Sequence, residues 1–436
     1  MKITGAKKGL RGALMMPGDK SISHRAVILA ALADGKTEIS GFLRGQDCLH
    51  TLKIFKMLGV EYRDKKDKLL IKGRGLKGLR KPDGQMDVGN SGTAFRLLAG
   101  VLAGQDFTAK LTGDESIQKR PMGRVIEPLH RMGAEFNGDK APLVIVNNKN
   151  TKQLVGIAYE SPLASAQVKS AILLAGLYAR GETSVTEPAL SRDHTERMFK
   201  TFGVRLRTAA LPSGKHKVIL PNGKHKLKGG LKIKIPGDFS AAAFFIVAAL
   251  IVPGSKLLLK NVGVNPTRIG LLDVLKKMGA KIIWQNKKML SGEPVADLQI
   301  VHSPLKAVEI GGELLLRMID EAPIFAVAAA LAKGRTVVKN AEELRVKESD
   351  RIKTVVEMLK GFGVSAAETS DGFVIDGNPE LQIAAPLKIN SHYDHRIAMS
   401  AAVFGLLNQK ETTITDDKCI ETSFPGFAAL LQKAAR

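Results

Sequence analysis

The chain has 436 residues, which is room for two or three domains with cores that need no disulfide or metal to hold them. Hydrophobic residues at 44% and charged residues at 25% exclude a disordered or collagen-like chain, and two cysteines, Cys48 and Cys419, exclude a disulfide framework or a Cys-rich zinc site. The net charge of +24 leaves nucleic acid, an anionic surface or small anionic substrates as partners, but aromatic residues are only 5% and there is no zinc-finger or RNA-binding signature, which disfavours nucleic acid.

Lysine-rich stretches such as Lys65-Lys66-Asp67-Lys68 and Lys224-His225-Lys226-Leu227-Lys228 read as solvated surface. The start carries no apolar run of a secretory signal, and the longest apolar run, Ala241 to Val252, is 12 residues where a bilayer span needs about 20. The expectation is a reduced, soluble, cytoplasmic protein.

In chain order, two kinds of helix alternate. The apolar kind is expected at Arg25 to Ala33, Ala94 to Ala103, Val168 to Ala179, Ala241 to Val252, Pro323 to Ala332 and Ile397 to Leu407. Being apolar nearly all round, these should be buried. The amphipathic kind ends in Gly59, Gly133, Gly203, Gly279 and Gly363, each followed by a strand, with a truncated sixth copy at Phe427 to Lys433. Glycine there suits the left-handed residue that closes a helix. Six similar α/β units of about 70 residues account for the chain.

The apolar helices share polar starts. These are Asp19-Lys20-Ser21-Ile22-Ser23-His24-Arg25, Gly89-Asn90-Ser91-Gly92-Thr93 and Ala164-Ser165-Ala166-Gln167 in the first half. The second half has Pro236-Gly237-Asp238-Phe239-Ser240, Asp320-Glu321-Ala322-Pro323 and Tyr393-Asp394-His395-Arg396. Taken singly, Ser, Asp and Asn are ordinary caps. Six such starts at equivalent repeat positions would, if brought together, offer N–H groups and helix dipoles to an anion.

Gly73-Arg74-Gly75-Leu76-Lys77-Gly78 fits a dinucleotide-binding pattern but is followed by a turn rather than a helix, so that reading is rejected. No phosphate-binding P-loop or His-Glu-x-x-His motif occurs, His130 and His302 read as surface or packing residues, and no metal site is legible. The segments that carry chemistry are Pro17 to Arg25, Gly89 to Arg96, Lys119-Arg120-Pro121-Met122-Gly123, Leu344-Arg345-Val346-Lys347-Glu348-Ser349-Asp350-Arg351, Asp394-His395-Arg396 and Asp417-Lys418-Cys419.

With these motifs in this order from Pro17 to Lys418, the chain resembles the 5-enolpyruvylshikimate-3-phosphate synthase family of the shikimate pathway. The resemblance implies an α/β fold of two lobes, each of three βαβαββ-type modules forming an inside-out barrel. Residues 1–16 plus 239–436 would form the upper lobe and 17–238 the lower, with the active site in the cleft between them. It implies transfer of the enolpyruvyl group of phosphoenolpyruvate to the 5-hydroxyl of 3-phosphoshikimate by a monomer, with no metal or organic cofactor, no nucleic acid and no membrane. By the same resemblance Lys20, Ser21, Arg25, Ser165, Ala166, Gln167, Asp320 and Lys347 would hold 3-phosphoshikimate. Lys20, Gly92, Arg120, Gln167, Arg351, Arg396 and Lys418 would hold phosphoenolpyruvate, with Asn90, Thr93, Arg96, Arg192 and His395 as further candidates.

Attack of a hydroxyl on the enol carbon needs a base for the hydroxyl and an acid for the methylene carbon. Asp320 is the expected base, and Lys20 and Glu348 are candidates for proton delivery. The competing reading of Glu348 and Asp350 is pairing with Arg345 or Arg351. Three positions depart from the family pattern: Leu97 replaces a common Pro, Ala166 a common Ser, and Arg192 stands where others use a Tyr. The resemblance also places the inhibitor glyphosate in the phosphoenolpyruvate pocket, with room for it resting on Gly92, where tolerant members carry Ala. The related UDP-N-acetylglucosamine enolpyruvyl transferases use a Cys on a loop near the position of Arg120, and neither Cys48 nor Cys419 lies there.

Overall fold

In the computed structural model, which describes residues 1–147 and 153–435, each of the starts singled out above opens a helix or a single 3-10 turn. The chain divides into two compact units, named here by their place in the sequence. The central unit is Gly18–Ile235 with Leu290–Glu293; the terminal unit is Met1–Pro17, Pro236–Met289 and Pro294–Arg436. The tetrapeptide at the tip of the Lys281–Leu290 and Glu293–Val301 hairpin thus belongs to the central unit, which adds a chain passage that the sequence does not signal.

The central unit holds helices α1 (Lys20–Leu32), α2 (Gln46–Met57), α3 (Gly92–Ala103), α4 (Glu115–Lys119), α5 (Gly123–Arg131), α6 (Ala166–Gly176) and α7 (His194–Thr201). The terminal unit holds α8 (Phe239–Ile251), α9 (Gly270–Lys277), α10 (Gly312–Leu316), α11 (Ala322–Ala330), α12 (Arg351–Gly361), α13 (His395–Gly405) and α14 (Phe427–Ala435). Among the described residues none is long and apolar enough to cross a membrane.

Six sheets of three to five strands complete the α/β architecture. In the central unit, the sheet Ala158–Glu160, Thr183–Glu187, His216–Leu220 and Arg207–Ala210 shows the shared pattern, in which the first pair is parallel and the next two are antiparallel. Glu309–Ile310, Gly334–Val338, Gly372–Gly377 and Ser365–Thr369 repeat it in the terminal unit. A parallel pair needs a crossover, and here the apolar helix provides it: α6 joins the first two strands of the central example and α11 those of the terminal one.

All thirteen residues of α8 are buried, as an all-round apolar helix requires. Its Phe244 and Phe245 meet Phe427 of α14 at ring separations of 5.9 Å, which fastens the last helix to the core. Burying a ring of that size contributes about 1.5–3 kcal/mol. Each unit has its own apolar core. The five repeat glycines at the ends of amphipathic helices have φ of 85°, 98°, 85°, 97° and 81°, a region costly for any residue with a Cβ. The Gly73–Gly78 stretch is the end of a strand followed by a turn.

The apolar helices begin earlier than their hydrophobic pattern suggests. α1 starts at Lys20 because Asp19 Oδ1 accepts from Ile22 N at 2.8 Å, so Lys20 and Ser21 occupy its first turn. α6 ends at Gly176 rather than Ala179, since Leu177, Tyr178 and Ala179 donate to carbonyls three residues back. That is 3-10 tightening of a final turn.

Candidate active site

Five of the six apolar helices carry a side-chain cap: Asp19, Ser91, Ser165, Asp238 and Asp394. Glu321, at the start of α11, does not cap with its side chain and is used otherwise. The capping reading of these residues therefore holds.

In the central unit the first two turns of α1, α3 and α6 are tied to one another in pairs. His24 Nε2 lies 3.2 Å from Ser91 Oγ, joining α1 to α3. Arg25 Nη2 donates to Ser170 Oγ at 2.9 Å, joining α1 to α6. Gln167 Nε2 donates to Thr93 Oγ1 at 3.1 Å, joining α6 to α3. Three positive helix ends therefore converge.

Cations surround them. Arg25 is buried, with Nε donating to Thr195 Oγ1 of α7 at 2.7 Å and Nη1 to the Ser21 carbonyl at 3.1 Å. Burial lowers its pKa to about 10; nearby Arg192 adds to the depression, and Glu196, Asp19 and Glu293 oppose it. Lys20 pairs with the buried Asp47 at 2.8 Å. His24, buried between Lys20 and Arg25 and held by Thr51 at 2.7 Å, is pushed well below the ordinary histidine range, first by burial and then by those cations. It is a neutral strut.

A second cluster gathers on α3. A Cβ built on Gly92 would stand 2.7 Å from Arg96 Nη1 and 2.9 Å from Arg120 Nη1, so both guanidinium ends lie over this glycine. Arg96 Nη1 donates to the Gly92 carbonyl at 3.1 Å, and Arg120 Nη2 reaches Ser116 Oγ at 3.4 Å. Asn90 Nδ2 donates to Asp114 at 2.6 Å. Ser165 accepts from Val168 N at 3.4 Å, and Ala166 follows it as the first residue of α6. The central unit thus brings Lys20, Ser21, Arg25, Asn90, Gly92, Thr93, Arg96, Arg120, Ser165, Ala166, Gln167 and Arg192 to the starts of its three buried helices or beside them.

The remaining residues fall in the terminal unit, where carboxylates and arginines alternate. Asp320 sits on a 3-10 turn, Ile319–Glu321, before α11, with Oδ1 3.7 Å from Arg351 Nη1 and Oδ2 3.4 Å from Arg268 Nη1. Arg351 is fully buried and also holds Asp394 at 2.8 Å and Glu348 at 2.6 Å. Burial would weaken that guanidinium as an acceptor of its proton, but Asp394 and Glu348 outweigh it and hold its pKa above the ordinary value.

The pairing reading of Glu348 and Asp350 is met: Glu348 bonds Arg351, and Asp350 bonds Arg345 at 2.8 Å while capping α12. Lys347 is half-buried, and burial lowers its pKa against the pull of Asp320. Arg396, in the first turn of α13 beside His395, lies 3.7 Å from Glu321, to which Ser240 Oγ donates. Lys418 stands exposed on the 3-10 segment Asp417–Thr422.

Sequence reading missed several members of these clusters. Asp47, Ser170 and Thr195 hold Lys20 and Arg25 from elements 27, 145 and 170 residues away. Fully buried Lys169 lies between Glu187 at 2.8 Å and Glu196 at 2.9 Å, its charge hidden inside an apolar helix pattern. Arg268, in the turn before α9, had no motif to flag it. A cleft of about 560 Å³ in the central unit, bordered by Arg197, Lys200, His216 and Lys217, contains none of the residues singled out from the sequence.

Comparison with known proteins bears on this geometry. The family model described as EPSP synthase (3-phosphoshikimate 1-carboxyvinyltransferase) matches residues 5–431. The chain is 52% identical over 435 residues to the 3-phosphoshikimate 1-carboxyvinyltransferase of Geobacter sulfurreducens, covering 98% of this chain and 97% of that one. It is 51% identical over 433 residues to the enzyme of the same description from Brevibacillus brevis, covering 98% of each. Among solved structures, an EPSP synthase from Acinetobacter baumannii aligns with a TM-score of 0.86 at 43% identity, over 99% of this chain and 97% of that chain.

Proposed function

This chain belongs to the EPSP synthase family, and on that premise we propose that its central unit supplies most of the anion-binding groups of the reaction and its terminal unit the carboxylates of proton transfer together with further phosphoenolpyruvate-binding cations. The reaction is transfer of the enolpyruvyl group of phosphoenolpyruvate to the 5-hydroxyl of 3-phosphoshikimate, with release of phosphate, a step toward chorismate and the aromatic amino acids.

The observation that carries the division is the contrast in charge between the two sets of helix starts. In the central unit Lys20, Arg25, Arg96, Arg120 and Arg192 accompany hydroxyls and positive helix ends, with Asp47 as the ion-pair partner of Lys20. Phosphate and carboxylate groups of both substrates suit that environment. Lys20, Ser21, Arg25, Ser165, Ala166 and Gln167 are assigned to 3-phosphoshikimate, and Lys20, Gly92, Arg120 and Gln167 to phosphoenolpyruvate, with Asn90, Thr93, Arg96 and Arg192 alongside. In the terminal unit, Arg351, Arg396 and Lys418 are assigned to phosphoenolpyruvate, with His395 beside them.

In the assigned mechanism, Asp320 takes the proton of the 5-hydroxyl as its oxygen bonds to the enol carbon, while the methylene carbon gains a proton from Lys20 or Glu348. The tetrahedral intermediate then loses phosphate as the C–O bond to phosphorus's oxygen breaks, and the methyl carbon gives back a proton. Lys347, whose lowered pKa eases loss of its proton, stands within the electrostatic reach of Asp320 and is assigned to the reacting hydroxyl. Arg351 and Arg396 face the charge that develops on the intermediate.

The finer architecture is assigned likewise: three modules per unit closed as an inside-out barrel, with lobes of 1–16 plus 239–436 and 17–238, in a cytoplasmic monomer that binds no nucleic acid. Three sheets and three apolar helices in each unit support the count of modules, and the two compact units follow these lobes except at their edges and at Leu290–Glu293. Phosphate release with phosphoenolpyruvate and either 3-phosphoshikimate or a UDP-sugar tests the acceptor, and only the former is expected to react. Asp320→Asn should lower kcat by roughly 10²- to 10⁴-fold with 3-phosphoshikimate binding retained. Near-normal turnover would remove Asp320 from the mechanism.

A further inference from the structure

Arg268 precedes α9 in the segment Asn265-Pro266-Thr267-Arg268, and nothing in its surroundings suits a solvated arginine. It is buried, 5% exposed. Nη1 lies 3.4 Å from Asp320 Oδ2 and 3.7 Å from Glu321 Oε1, and Nη2 lies 2.5 Å from Ser240 Oγ and 3.9 Å from Asp238 Oδ1. One guanidinium therefore touches the starts of α8 and α11 together.

Its backbone is pinned. Asn265 Oδ1 accepts from Thr267 N at 3.0 Å and from Thr267 Oγ1 at 2.8 Å, and Arg268 N donates to the Asn265 carbonyl at 2.8 Å. The turn is also fastened to the segment that leads into Asp320. Arg317 Nη1 donates to the Pro266 carbonyl at 3.2 Å and Gly270 N to the Arg317 carbonyl at 3.3 Å. A Cβ on Gly270 would come within 2.8 Å of the Leu314 carbonyl, so the two segments are in backbone contact.

We propose that Arg268 is a positioning residue for Asp320: it ties the carboxylate to the starts of α8 and α11 and so fixes the orientation in which it meets the reacting hydroxyl. Asp320 stands on a three-residue 3-10 turn without a side-chain cap, a short element that does not by itself fix a carboxylate rotamer. A fork of donors held by five local bonds does. The charged groups around Asp320 are Arg268 from the turn before α9, Arg351 from α12, Lys347 from the segment before α12, and the carboxylates Glu321 and Glu348. Arg268 lies 3.4 Å from Oδ2 and Arg351 3.7 Å from Oδ1.

The proposal rests on Asp320 being the base, and the test keeps the two apart. Arg268→Gln is expected to lower kcat by roughly 10- to 100-fold with both KM values nearly unchanged, because the base is misplaced rather than the substrate released. Removal of a cation beside a carboxylate should also move the acid limb of the pH profile of kcat upward by about one unit. Arg268→Lys should recover part of both effects. In an Asp320→Asn background, Arg268→Gln should cost little more, since the pair acts as a unit. If Asp320→Asn cripples the enzyme but Arg268→Gln leaves kcat and the acid limb in place, Arg268 does not position the base. An equal further loss from Arg268→Gln in the Asp320→Asn background also overturns the proposal. If Asp320→Asn is itself nearly normal, the base assignment fails first. A lowered unfolding temperature in both Arg268 variants, with the per-folded-molecule kcat and acid limb unchanged, would mark Arg268 as structural only.

Discussion

Alanine at position 92 puts a methyl group against the ends of two arginine side chains. The Cβ would lie 2.7 Å from Arg96 Nη1 and 2.9 Å from Arg120 Nη1, where ordinary contact begins at 3.4 Å, so each guanidinium must retreat by about half an ångström or more. The backbone accepts alanine, since Gly92 is the first residue of α3 with ordinary helical φ, and Gly→Ala there should be neutral or stabilising by up to about 1 kcal/mol. The strain is therefore borne by two long, flexible cations. A charge-assisted bond contributes about 1.5–3 kcal/mol, and partial displacement of Arg120 should raise the phosphoenolpyruvate KM by roughly 3- to 10-fold. Glyphosate, placed in the same pocket by the family resemblance, meets both the shifted arginine and the methyl itself. Its inhibition constant should rise at least about tenfold more than the KM. Steady-state phosphate release across both ligand concentrations, with the unfolding temperature as control, measures the two constants. Equal inhibition constants in wild type and Gly92→Ala would refute the steric reasoning, and an unchanged KM would show that Arg120 gives way without leaving its anion.

Other outcomes follow from buried charge. Lys169→Met leaves Glu187 and Glu196 buried without their shared cation and should cost about 3–5 kcal/mol in urea unfolding. Asp394→Asn keeps an N-cap for α13 but removes the charge opposite Arg351, a loss of about 3 kcal/mol at neutral pH. Although burial works against it, Arg351 keeps the Asp394 carboxyl below its ordinary 3.8, so the stabilisation is present above that pH and disappears as pH falls through the lower folded value. The stability gap between wild type and Asp394→Asn, followed by denaturant unfolding against pH, should be flat near neutrality and close below pH 3.8. Arg120→Ala should weaken phosphoenolpyruvate binding with 3-phosphoshikimate binding retained, as isothermal titration would show.

The helices were legible where one residue decides local geometry. The five repeat glycines needed φ > 0, and Asp19, Ser91, Ser165, Asp238 and Asp394 each close a helix start within three residues of themselves. Information of that kind is local, so it survives in the sequence. Arg25 and Arg351 were found by motif alone; their burial, and hence their pKa shifts in opposite directions, depends on groups from other elements. Asp47 reaches Lys20 across 27 residues, Arg268 reaches Asp320 across 52, and Ser240 reaches Glu321 across 81. No spacing rule encodes such pairs, because the fold rather than the helix period brings them together.

The net charge misleads for the same reason. The +24 excess suggests a cationic protein poised for anions, yet Lys65, Lys66, Lys68, Lys224 and Lys226 are exposed, in high dielectric, where a charge attracts an anion weakly and salt screens it. The cations at the helix starts are few, but Arg25 is buried against Ser170 and Thr195, and the Arg120 guanidinium lies over Gly92. A buried guanidinium such as Arg25 works in a lower dielectric than a surface lysine, so on the proposed reading it would contribute more to phosphate affinity. On the proposed reading, selectivity for anionic substrates depends on where buried helices begin, and the terminal unit differs in how it treats its cations. There the same helix starts carry carboxylates, from Asp238 to Asp394, and Arg268, Arg351 and Arg396 pair with them.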